Sequence, residues 1–148
     1  MSLSFDVFAG AFLAKVSEFD LPQMDEWDRT AVIDGYLLRA ASEFRKDCAY
    51  DLTDIDHNDR SFNADFAESD VDEIVNIISE GMLVQWMKPF VYRQENLEMY
   101  LNTKDFTAYS PSELLLRIGG AYAKVQKDYT QMVREYSYNH GELSKLHI

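Results

Sequence analysis

The 148-residue chain has little of what most functional signatures are built from. Its one cysteine, Cys48, excludes an internal disulfide and a cysteine-based zinc site, and fits a reducing compartment. Three prolines and six glycines are too few for an all-β design with many tight turns, so helices are expected to dominate. No uncharged run approaches the ~18 residues needed to span a bilayer. The opening stretch MSLSFDVFAGAFLAKVSEFD lacks a basic leader region and is broken by Asp6, Lys15 and Glu18, so neither a signal peptide nor a membrane partner is expected. Positive charge is also scarce. The net charge is −12, and it is unevenly spread: residues 110–148 carry five bases against four acids, leaving −13 for the first 109. That balance repels phosphate backbones and anionic lipid, which disfavours nucleic-acid binding and points to protein partners.

Catalytic and metal signatures are missing in the same way. The sequence contains no GxSxG, no GxxxxGK[ST], no GxGxxG and no HExxH. His57, His140 and His147 lack a second His or Cys at ligand spacing. The acids Asp51, Asp54, Asp56, Asp59, Asp65, Glu68, Asp70 and Asp72 invite a calcium reading. An EF-type count from Asp54, however, puts Asp59 where the turn requires glycine and Asp65 where a bidentate Glu belongs. No pair of carboxylates stands out as an acid/base couple, so the expectation is a non-enzyme without cofactor or metal.

What is present is apolar material: 47% hydrophobic and 14% aromatic residues suffice to bury a core in one domain spanning 1–148. Phe8, Phe12, Val16 and Phe19 recur at helical spacing, predicting a helix over about 7–19 that stops near Pro22. Asp25 is placed to cap a second helix, in which Ile33, Leu37, Ala40 and Phe44 form one stripe to about residue 47. Residues 48–67 lose the periodicity and read as a long acidic loop with a short extended stretch. Loops of that length are usually functional or are ordered by a partner. Ser69 and Asp72 resemble a capping box for a third helix carrying Val71, Ile74, Val75, Ile78, Met82 and Trp86, the expected centre of the domain. Pro89 should kink or end it, with helix resuming as far as 101.

The last helix has the strongest start signal, N-cap Ser110, Pro111 at the first helical position and Glu113 three residues after the cap. Leu115, Ile118, Tyr122, Val125, Tyr129, Met132 and Tyr136 then alternate spacings of three and four, a packing seam along one face of a helix over 111 to about 138. Gly119 and Gly120 each cost about 1 kcal/mol in a helix interior, which suggests a backbone closely approached by another element. Gly141 is placed to end the helix, leaving 140–148 as a short tail. The tyrosines could stack nucleic acid, but that needs a basic groove, and core or interface packing is the better account in so acidic a chain. The fold class expected is all-α, a bundle of four to five helices with one long C-terminal helix and an acidic loop between the second and third.

Three stretches carry a resemblance: YLNTKDF at 100–106 followed by Tyr109-Ser110-Pro111, the helix after it, and YSYNHGEL at 136–143 with Leu146-His147. Through them the last third of the chain resembles a family of tailed-bacteriophage neck proteins, the head-to-tail connector or adaptor subunits beneath the portal. The resemblance implies a structural virion protein, made in the host cytoplasm, that assembles as a ring, commonly of twelve. It also implies portal and tail-side neck or terminator proteins as partners, with DNA passing through without specific binding. On that reading Asp54, Asp56, Asp59, Arg60, Phe62, Tyr138, His140, Leu143 and Leu146 are the expected assembly contacts. Two other classes are open. One is a small acidic protein that mimics DNA and inhibits a host or defence protein, whose carboxylates should spread over exposed helix faces. The other is an enzyme of unrecognised type, which turnover would reveal.

Overall fold

The computed structural model describes residues 1–17, 26–92 and 111–140; within these, only the backbone is described at 17, 26–29, 89–92, 111–118 and 140. Four helices make the body: α1 (Phe5–Ser17), α2 (Glu26–Phe44), α3 (Glu68–Tyr92) and α4 (Pro111–His140). The all-α bundle is therefore the fold, with one addition, a small three-stranded antiparallel sheet of β1 (Leu3–Ser4), β2 (Ile55–Asp56) and β3 (Ser61–Phe62) in the order β1-β3-β2.

The central element is α3, against which α1, α2 and α4 all pack. Position explains its composition: Ile77, Ile78, Met82, Leu83, Val84, Trp86 and Met87 are buried with Ser79, Glu80 and Gln85 between them, because no side of this segment faces water. The polar members find partners. Ser79 donates to the Asn76 carbonyl at 3.0 Å, Gln85 donates to Glu43 at 3.1 Å, and Glu80 lies 3.4 Å from the Lys15 ammonium. α1 packs on α3, where Lys15 reaches Asn76 and Phe12 meets Trp86. It buries the Phe8–Phe12–Val16 stripe that its spacing predicts. α2 buries Ile33, Leu37, Ala40 and Phe44, also as its spacing predicts. The predicted Phe19 and the Asp25 cap lie outside the described residues.

Three expectations need correction. Among the described residues nothing closely approaches Gly119 or Gly120, since a Cβ built on either meets no described atom within 4 Å. The tight position is Gly81 on α3, where a Cβ would lie 3.0 Å from the Tyr129 ring and 3.2 Å from the Ala40 Cβ. There α2, α3 and α4 converge, and a residue without a side chain lets them do so. Second, of the two outcomes expected at Pro89, a kink or an end, the helix does not end there: α3 extends to Tyr92, and the expected resumption to 101 lies outside the described residues. Third, α3 is not opened by a Ser69–Asp72 capping box. It starts at Glu68, where the Tyr50 hydroxyl accepts the Ala67 amide at 3.1 Å and donates to Asp70 at 2.6 Å.

Segment 48–67 is an excursion folded onto the bundle. Its β2–β3 hairpin pairs Ile55 with Phe62 and Asp56 with Ser61, and β3 pairs on its other side with β1. The hairpin turn is closed by the Asp56 carboxylate, which accepts the amides of Asn58 and Asp59 at 3.0 and 3.1 Å. Arg60 completes it at a φ of 53°, in the left-handed region.

Candidate functional site

The residues singled out from the sequence fall on two surfaces, the acidic hairpin and α4. In the hairpin most carboxylates first serve the fold. Asp51 accepts the amide and hydroxyl of Thr53, which holds its carboxyl below the usual range. Asp54 accepts from the Asn63 amide group at 3.1 Å, and Asp56 closes the turn. Asp54 and Asp59 are exposed, and so are Asp51, Glu68 and Asp72 nearby. Among the described residues no group of three or more His, Cys, Asp or Glu is arranged to hold a metal ion.

Arg60 is the one base in this segment, and its guanidinium is engaged inside the molecule. It grips Asp34 of α2 with two parallel bonds of 2.7 and 2.8 Å, and donates to Asp6 of α1 at 3.0 Å. It also lies 5.9 Å from the centroid of the Phe5 ring. Its side chain is therefore a clamp between the hairpin and two helices rather than an available assembly contact. Phe62 is likewise corrected. It is fully buried, with ring centroids 5.1 Å from Phe5 and 5.4 Å from Phe8, because its position on β3 turns it toward the α1 core.

The hairpin is tied to α4 at its base. The Tyr136 hydroxyl, in a fully buried residue, accepts the Ala49 amide at 3.0 Å and lies 3.9 Å from the Cys48 sulfur, while its ring packs edge-on against Phe44. Burial raises the pKa of this phenol and of the half-buried Cys48 thiol. The rest of the seam runs with it. Tyr122 and Val125 are buried, and Tyr129 and Met132 pack half-buried against the core. Leu115, Ile118 and Glu113 have only their backbone described, within α4, as does His140 at its last residue; Ser110, Leu143 and Leu146 lie outside the described residues.

Opposite the seam, α4 carries a second stripe that the sequence reading overlooked. Lys124, Lys127, Gln131, Arg134 and Tyr138 recur at spacings of three and four, and all are exposed, Tyr138 to 74%. At 100° per residue they centre about half a turn from Tyr122–Tyr136. A shallow depression follows the same stripe between Ala123 and Arg134. Glu135 stands at its edge, held by Gln131 at 3.2 Å, so the face is net basic in a net acidic protein. The signal was legible as a 3–4 repeat of polar residues, but an apolar repeat on the same helix drew the eye. Compared with family models, with curated proteins and with solved structures, the chain matches none of them.

Proposed function

We propose that this protein is a structural subunit of a tailed-bacteriophage neck, a head-to-tail connector that assembles with copies of itself into a ring beneath the portal, around the DNA channel. The observation that carries the reading is α4. It begins at Pro111, follows the Tyr109-Ser110-Pro111 stretch of the resemblance, and extends thirty residues, about 45 Å, into the YSYNHGEL stretch. One face of this strut builds the body through Tyr122, Val125 and Tyr136, and the other stands exposed from Lys124 to Tyr138. A rigid element with one face committed to the core and one free is what a subunit of a repeating assembly needs. The acidic balance suits a channel through which DNA slides, since it discourages adhesion to phosphates. The chemistry-bearing side chains support a structural role: Cys48 packs half-buried beside Tyr136, and Asp34, Asp56 and Arg60 hold the hairpin.

The DNA-mimic alternative is the weaker account. Asp51, Asp54 and Asp56 serve local turns and pairs, and the exposed face of the longest helix is basic. The deciding experiment is deletion of the gene from a phage that encodes it, with complementation. The expected result is DNA-filled heads without tails, and detection of the 17.2 kDa chain by mass spectrometry in purified wild-type particles. Normal head-to-tail joining in the deletion, or absence of the chain from particles, overturns the reading.

A further inference from the structure

The exposed stripe of α4 and the acidic hairpin are complementary, and they belong to different sides of the molecule. α4 packs mainly on α3, and its stripe points away from that contact. The hairpin rides on β1 and on the α1 and α2 residues Phe5, Phe8, Asp6 and Asp34. In one copy the stripe is turned to solvent, where the hairpin of a second copy can reach it.

We propose that the Lys124–Lys127–Arg134 face of α4, with Tyr138 at its end, docks onto the acidic hairpin around Asp54 and Asp59 of the next copy of this chain. The contact is heterologous, head to tail, so repetition closes a ring or grows a filament according to the rotation it imposes. This inference rests on the connector reading only for the expectation of a homo-oligomer; the choice of surfaces comes from the charge pattern. A chain of net charge −12 presents a basic patch with an acidic surface on every other copy of itself. Arg60, the hairpin's one base, does not oppose the docking, because its guanidinium is bound to Asp34 and Asp6. Tyr138 supplies the large amphipathic side chain on which such interfaces are commonly centred.

The test uses the full chain and two charge-reversal variants, K124E/K127E/R134E for the stripe and D54K/D59K for the hairpin, each checked for an unchanged circular dichroism spectrum. Self-association of the wild type, measured by sedimentation at about 20 mM salt, should weaken by about tenfold or more at ~0.5 M salt. Each variant alone should associate about tenfold more weakly than wild type, since like charges then face each other. An equimolar mixture of the two should recover wild-type association, because every contact again pairs opposite charges. A wild type that associates equally well with either variant's substitutions overturns the proposal by placing the interface elsewhere, and leaves the connector reading to the deletion experiment. A wild type that stays monomeric at low salt overturns it too. So does a stripe whose reversal abolishes binding to duplex DNA without changing self-association, which would make the face a nucleic-acid surface.

Discussion

Arg60 combines two features that rarely coincide, a left-handed backbone and a side chain bound at three points. A non-glycine residue held there costs roughly 1–2 kcal/mol, and the two-pronged bond to Asp34 offsets it. Arg60→Ala removes the clamp and keeps the strain, so it should destabilise the protein by about 1–3 kcal/mol in urea unfolding. Arg60→Gly loses the same clamp but relaxes the backbone, and should be milder by about 1 kcal/mol. Equal losses in the two variants would show that the backbone is unstrained. Tyr129 makes a prediction about pH. Burial first, and then Glu43 and Asp47, push its pKa from 10.0 to about 12. Below pH 10 the phenol is protonated in both folded and unfolded chains, and its preference for the folded site is fully present. Above 10 the unfolded chain gives up the proton first, so stability falls and this contribution is gone once the pH passes about 12. Tyr129→Phe should make the alkaline fall in thermal midpoint shallower over that window, while Tyr136, shifted the same way, still contributes.

At the scale of the element, the glycines separate two kinds of helix position. At Gly119 and Gly120 a Cβ would meet none of the described residues, so alanine at either should raise stability by about 0.5–1 kcal/mol through helix propensity alone. Gly81→Ala has the same propensity gain, but it drives a methyl against Tyr129 and Ala40, and overpacking of about 1–3 kcal/mol should win. Thermal midpoints moving in opposite directions for the two sites check this; a stabilising Gly81→Ala would mean that the three helices can part. The contrast also marks what the sequence could tell. Apolar spacing located α1, α2, α3 and α4 to within a few residues, because burial on one face imposes the period directly. It could not say which glycine meets another helix, since that depends on how helices cross. The hairpin was equally hidden. Strands of two residues carry no period, and the bonds that fix them come from Asp56, Arg60 and a β1 partner nearly sixty residues away.

For the whole molecule, the decisive quantity is charge. A body of net charge −12 repels itself, and the Arg60 ion pairs among its described residues are partly exposed, so screening should relieve more repulsion than it weakens attraction. Raising ionic strength from about 10 mM to ~0.2 M should therefore raise the thermal midpoint of dilute protein, as read by scanning calorimetry. A falling midpoint would mean that the Arg60 clamp outweighs the global field. The site was legible only in part for the same reason of scale. Sequence showed acid at 51–72 and tyrosines along 122–136, but Phe62 and Arg60 look like surface residues until the fold turns one inward and locks the other.

The bond from the Ala49 amide to the Tyr136 hydroxyl spans 87 residues. Residues 1–92 are synthesised before that tyrosine, so α1, α2, α3 and the hairpin can assemble first, with the Gly81 face of α3 still open to water. Closing so long a loop is slow compared with pairing neighbours in sequence, which puts the arrival of α4 last. Until it arrives, the nascent chain carries an apolar groove and an unanswered amide. The helix proposed to offer its outer face to the next copy is the one whose inner face completes its own core.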